Sequence, residues 1–151
     1  MTETFLWRSF EALKPAELHA VLKLRCEVFI VEQACAYADI DGKDPLARHL
    51  LAYVGPELIG CLRVFAPDGA GAAARIGRVV IAPPARGTGL GRRLMRRALA
   101  EIEARFGPVP VELSAQAHLE AFYASLGFER VSETYLEDDI PHCDMRRDIP
   151  P

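Results

Sequence analysis

No apolar run in this chain approaches the roughly 20 residues that a membrane-spanning helix requires. The longest stretches, such as Val79 to Pro84, stop far short, so no transmembrane segment is expected. The amino-terminal residues Met-Thr-Glu-Thr-Phe-Leu-Trp-Arg lack a basic head and an apolar stretch of secretory length, which makes a cytoplasmic location the expectation. Four cysteines, Cys26, Cys35, Cys61 and Cys143, form no C-x-x-C pair and match neither a disulfide framework nor a zinc knuckle; reduced, mostly buried thiols and no metal site are expected. An excess of positive charge is also missing. Eighteen basic against 21 acidic residues give a formal net charge of -3, which argues against non-specific nucleic-acid binding. Neither G-x-G-x-x-G nor G-x-x-x-x-G-K-[ST] occurs, so dinucleotide and nucleoside-triphosphate sites are not supported.

What is present fits one domain over residues 1–151, long enough to close a single substantial core, with half the residues hydrophobic and 26% charged. Charge is unevenly spread. Arg75, Arg78, Arg86, Arg92, Arg93, Arg96 and Arg97 crowd one stretch, whereas Asp39, Asp41 and Asp44, and again Glu137, Asp138 and Asp139, form acidic patches. Helical spacing from Pro15 to Phe29 predicts an amphipathic helix, followed over Ile30 to Asp44 by a structured loop or short second helix. His49 to Val54 and Leu58 to Phe65, joined by Gly55-Pro56-Glu57, predict a hairpin; Arg75 to Ala82 predicts a strand buried on both faces. Leu94, Met95, Ala98, Leu99, Ile102 and Phe106 share one helical face from Gly91 on. Val109 to Leu113 is a second short buried strand, His118 to Leu126 a helix capped by Gly127, and Phe128 to Tyr135 and Asp144 to Ile149 are closing strands. A mixed α/β (α+β) domain results.

Arg86-Gly87-Thr88-Gly89-Leu90-Gly91 lies between the buried strand and the long helix. A helix start leaves four backbone N–H groups without intrahelical partners and carries partial positive charge, so a glycine turn there forms an anion cradle. Arg86, Arg92 and Arg93 add charge-assisted donors around it. An ordinary strand-to-helix turn has the same outline, and the neighbouring sequence decides between them.

The Arg-x-x-Gly-x-Gly spacing resembles the pyrophosphate loop of the GNAT N-acetyltransferase superfamily, and Phe122-Tyr123-Ala124-Ser125-Leu126-Gly127-Phe128 is similar to that family's F-Y-x-x-x-G-F segment. Arg25 to Gln33, Asp39 to Gly42, Ser114 to Leu119 and Asp139 to His142 resemble the ElaA-type subgroup, so the likeness covers nearly the whole chain. It implies the GNAT acyl-CoA N-acyltransferase fold, a central mixed, mostly antiparallel sheet with two splayed parallel strands flanked by helices. It also implies acetyl-CoA as donor and a small amine or peptide as acceptor. By this resemblance Val79, Val80 and Ile81 hold the pantetheine and thioester through backbone N–H groups. Arg86, Gly87, Thr88, Gly89, Leu90, Gly91 and Arg92 hold the diphosphate, Phe122 and Tyr123 close the cofactor site, and the Tyr123 hydroxyl protonates the departing thiolate.

Deprotonating the acceptor at pH 7 costs about 4.6 kcal/mol for a lysine-like amine and about 1 kcal/mol for an α-amino group, so the need for a base depends on the acceptor. Glu32 and His142 are both candidate bases. Phe29, Glu32, Tyr37, Asp39 and Asp41 are candidate acceptor-binding residues, the acidic loop being suited to a cation; a solvated Asp-Gly turn gives the same letters. Two rival functions share these features: a non-catalytic acyl-CoA sensor, and a nucleic-acid binder using Arg92, Arg93, Arg96 and Arg97. Family members often form homodimers, but the sequence carries no diagnostic patch.

Overall fold

A computed structural model describes residues 2–149. The strands are β1 (Glu3–Ser9), β2 (Arg48–Val54), β3 (Glu57–Phe65), β4 (Ala74–Ile81), β5 (Val111–Gln116), β6 (Glu129–Arg130), β7 (Tyr135–Glu137) and β8 (Ile140–Arg147). They form one sheet in the order β1-β2-β3-β4-β5-β8-β6, with β7 also pairing β8. Every pairing is antiparallel except β4 with β5. The expected hairpin is β2 and β3. The closing strands differ from expectation: β6 is only two residues long, residues 131–134 are irregular, and β8 begins at Ile140 rather than Asp144.

Among the described residues three α-helices flank the sheet, α1 (Pro15–Arg25), α2 (Leu90–Phe106) and α3 (Glu120–Ala124). Buried residues of α2, among them Leu94, Met95 and Ile102, pack with Leu50, Leu62, Ile76, Leu113 and Met145 on one face of the sheet. Val21 and Leu24 of α1 pack with Leu51, Cys61 and Val80 on the other. Adjacent residues such as Leu50 and Leu51 serve opposite cores, as strands covered on both faces must. Pro15 occupies the first turn of α1, and Glu17 reaches back to accept from the Lys14 N–H at 2.9 Å. Beyond Arg25 the chain does not end its helix but widens into a π-helical turn, Cys26–Glu32, with Cys35 N–H donating to the Ile30 carbonyl at 3.0 Å. Hydrophobic spacing does not distinguish this turn from ordinary helix.

Two irregularities shape the middle of the sheet. First, β4 and β5 are paired only at Ala74–Val111 and Arg75–Glu112, so the two parallel strands separate after two residue pairs and leave a gap, as the resemblance implied. Second, β4 reverses its own phase. Its first amide, Ala74 N–H, donates toward β5, to Pro110 at 2.9 Å, whereas the amide just past its end, Ala82 N–H, donates toward β3, to Ile59 at 2.8 Å. Amide direction alternates along a strand, so two even-numbered residues facing opposite ways require an inserted residue between them. It sits at Arg78, in the left-handed region at φ 49°, where Leu62 alone spans the pairs Cys61–Val80 and Arg63–Gly77. Side chains change sides with the amides: Ala74 and Ile76 enter the α2-side core, Val80 the α1-side core. Holding a non-glycine residue at this φ costs about 1–2 kcal/mol.

Candidate active site

The turn before α2 is bent by Gly87 and Gly89, at φ 75° and 83°. The Thr88 hydroxyl donates to the Ala85 carbonyl at 2.6 Å, and the Thr88 carbonyl accepts from Arg93 Nη1 at 2.8 Å. These bonds fix the turn and leave its amides free. Among the described residues, no protein acceptor is engaged by the N–H groups of Gly87 through Arg92, and the first turn of α2 carries no acidic side chain. Residues of the turn and of the first turn of α2 border a cleft of about 340 Å³ lined by Ile81, Ala85, Arg86, Gly87, Gly89, Leu90, Gly91, Arg92 and Phe122. Arg92 lies over the Phe122 ring at 5.7 Å and donates to the Ser125 hydroxyl at 2.9 Å. Open amides at a positive helix end, flanked by Arg86 and Arg92, fit a diphosphate. Arg93 does not join them: its guanidinium is held by Glu3 and the Thr88 carbonyl, so it buttresses the turn instead of adding a donor to the cleft.

The cleft reaches the gap beside β4 through Ile81. With the phase set by Ala82, the N–H groups of Val79 and Ile81 face the gap and that of Val80 faces β3. Of the three backbone donors expected here, Val80 is therefore withdrawn by the bulge. Tyr123 of α3 is buried, with its ring edge-on to Phe122 and Phe128 at centroid distances of 5.1 and 6.1 Å. Its hydroxyl engages no protein partner among the described residues, and burial pushes its pKa up to about 12.

The acidic loop is not a free anionic surface, which corrects the reading of Tyr37, Asp39 and Asp41 as receptors for a cation. Asp39 and Asp44 are buried, and Arg25, only 1% exposed, bonds both at 2.9 and 2.8 Å. Arg63 joins Asp44 to Asp41 at 2.8 and 2.7 Å, and Arg78 reaches Asp39 at 3.0 Å. Tyr37 donates to Asp39 at 2.8 Å beneath the Arg78 guanidinium. The Arg63 hydrogen bonds hold the Asp41 carboxyl well below the usual carboxylate range. Burial alone would raise Asp44, but the bonds from Arg25 and Arg63 outweigh it and lower it. Sequence proximity suggested a patch of acid; folding brings arginines 14 to 39 positions away to neutralise it. His49 is likewise interior, in β2 between two strands, donating from Nε2 to the Asp44 carbonyl at 2.9 Å, and burial lowers its pKa.

The two candidate bases stand on different elements of one region. Glu32 ends the π-helical turn, half-exposed, and pairs with Arg86 of the cleft at 2.9 Å. Neighbouring Gln33 accepts from Gln116 at 3.3 Å, and Gln116 lies opposite His142 across the β5–β8 ladder. His142 donates from Nδ1 to the Ile140 carbonyl at 2.7 Å, and its Nε2 lies 3.4 Å from Glu137. Phe29 packs against the α1-side core. Sequence reasoning missed three residues on this face: Ser114 contacts the Tyr135 hydroxyl, which donates to Asp144 at 2.7 Å. Only period-two spacing of Ser114 and Gln116 hinted at it.

Residues 14–149 match the family model described as an acetyltransferase (GNAT) domain. The chain is 42% identical over 139 residues to the protein ElaA of Escherichia coli (strain K12), covering 91% of each. The crystal structure of E. coli ElaA superposes with a TM-score of 0.92 over 97% of this chain and all of that one. A Pseudomonas aeruginosa acyl-CoA N-acyltransferase, 46% identical, gives the same TM-score over 97% of this chain and 99% of that one. With its splayed parallel strands, bulged β4 and bare α2 start, the chain belongs to the GNAT acetyltransferase family, in the ElaA-type subgroup.

Proposed function

We propose that this single domain transfers an acetyl group from acetyl-CoA to a primary amine of a small molecule or peptide by direct attack in a ternary complex. The observation that carries the reading is the row of unengaged amides from Gly87 to Arg92 beside a cleft that reaches Ile81 of β4. Acetyl-CoA supplies an acyl group already activated as a thioester. The protein supplies position and charge. Arg86, Arg92 and the turn amides hold the diphosphate, and Phe122 walls the cleft. The N–H groups of Val79 and Ile81 offer preorganised donors to the carbonyl oxygen, each worth roughly 2.7–4 kcal/mol in other enzymes.

Tyr123 keeps its proton. A phenol near pKa 12 is a weaker acid than a thiol of reference pKa about 8.5, so full transfer to a thiolate is uphill by roughly 5 kcal/mol. Its role in this reading is narrower than protonation: a neutral hydroxyl donating a hydrogen bond to the leaving sulfur. Of the two bases, His142 is the better disposed, because its Nε2 lone pair has no protein donor among the described residues while Glu32 is tied to Arg86. An α-amino acceptor needs little help from either.

Isothermal titration with acetyl-CoA, followed by a thiol-release screen over amines, polyamines and peptide N-termini, tests the reading. Binding with release is expected. Binding without release to any acceptor would favour an acyl-CoA sensor, and no binding would remove both readings.

A further inference from the structure

Arg78 stands where no side chain is comfortable. It is one of four non-glycine residues with positive φ among the described residues, and the only one inside the paired sheet. Without the inserted residue, β4 would keep the phase it has at Ala74; the amides of Val80 and Ala82 would face the gap, and those of Val79 and Ile81 would bond to β3. The bulge therefore decides which two donors are available.

The Arg78 side chain is gripped from several directions. Nε is 3.0 Å from Asp39 Oδ1, Nη2 donates to the Asp39 carbonyl at 3.2 Å and lies 3.5 Å from Asp41 Oδ2, and the guanidinium covers the Tyr37 ring at 5.4 Å. Those partners do not give way, because Asp39 is locked by Arg25, and Asp41 by Arg63 from the neighbouring strand. The far end of the side chain is thus fixed to a buried block while its backbone sits in a strained conformation.

We propose that Arg78 is a positioning residue whose anchorage to Asp39, Asp41 and Tyr37 holds the β4 bulge open, thereby aiming the Val79 and Ile81 amides into the gap. This rests on the acyl-CoA reading above for its catalytic meaning, but the backbone claim stands apart from it.

Glycine and alanine at position 78 separate this from a simple role of the guanidinium. Both remove the anchor, yet glycine adopts positive φ without strain and alanine does not. Crystal structures of ligand-free Arg78→Gly and Arg78→Ala are expected to show the bulge and the Ala82-to-Ile59 hydrogen bond kept in the first and lost in the second. With acetyl-CoA and an accepted amine, kcat is expected to fall about 10²-fold in Arg78→Ala and to stay within about 10-fold of wild type in Arg78→Gly. The infrared carbonyl stretch of bound ¹³C-labelled acetyl-CoA should follow the same order. Equal losses in the two variants, or a retained bulge in Arg78→Ala, would overturn the proposal. Arg78→Gln, which keeps the stem without the charge, replaces the alanine variant if that one does not fold. A wild-type protein that binds no acetyl-CoA defeats the acyl-CoA reading and leaves the ligand-free structures to decide the anchor.

Discussion

Two charged regions of this protein are built from the same materials and finished in opposite ways. Around Asp39, Asp41 and Asp44, each carboxylate meets at least one arginine, and most of the polar atoms are enclosed. Around the start of α2, backbone donors and the Arg86 and Arg92 side chains surround an open cleft with no acid in the helix's first turn, and Arg86's one acidic partner, Glu32, is itself half-exposed. α1 sharpens the contrast, since its own first turn is closed by Glu17. Charge satisfied within the chain maintains a shape; charge left open is what a ligand can complete.

The comparison breaks most visibly at Arg25. Removing it strands Asp39 and Asp44 in the interior, and Arg25→Ala is expected to cost about 3–5 kcal/mol in urea unfolding. Arg86→Ala should do the opposite. Its guanidinium is half-exposed, so stability should hardly change, while loss of a charge-assisted bond worth about 1.5–3 kcal/mol weakens acetyl-CoA affinity roughly 10- to 100-fold by calorimetry. If Arg86→Ala instead lowered stability and left affinity alone, the two regions would not differ in kind.

Tyr123→Phe should lower kcat by about 10²-fold or less with little change in acetyl-CoA affinity, as expected of a hydroxyl that donates without transferring its proton. Gly87→Ala tests the turn with no steric term, because nothing lies within 4 Å of an added Cβ; its φ of 75° alone should cost about 1–2 kcal/mol, divided between stability and affinity.

The smallest effect is on pH dependence. His49 has its pKa lowered below 6.5, so the unfolded chain binds more protons than the folded one and stability declines as pH falls through that value. Asp41 and Asp44, both lowered below 3.8, add stability that is present above that pH and lost beneath it as they protonate. Two acid limbs in a stability-against-pH curve are expected, and His49→Gln should abolish only the upper one.

Much of the fold was legible because period is local. The hairpin, the buried β4 and the apolar face of α2 each follow from which neighbours along the chain are hydrophobic. The glycine turn was legible for the same reason, its residues being consecutive. The π-helical turn was not, because hydrophobic spacing is the same in it as in ordinary helix, and neither were the bulge at Arg78 or the Ser114–Tyr135–Asp144 chain, whose partners lie on other strands or turns.

The sequence by itself determined the β2–β3 hairpin, the strand before the glycine turn, the long helix after it and which family the motifs resemble, but not β1, the π-helical turn or the bounds of the closing strands. Only the tertiary structure decided which charges remain available. Asp39, Asp41 and Asp44 read as an open acidic loop until Arg25, Arg63 and Arg78 arrive from α1, β3 and β4. Val79, Val80 and Ile81 read as equivalent donors until one residue in the left-handed region reverses the strand. Hydrogen bonds and ion pairs are made between neighbours in space, and the chain specifies those neighbours only once it has folded.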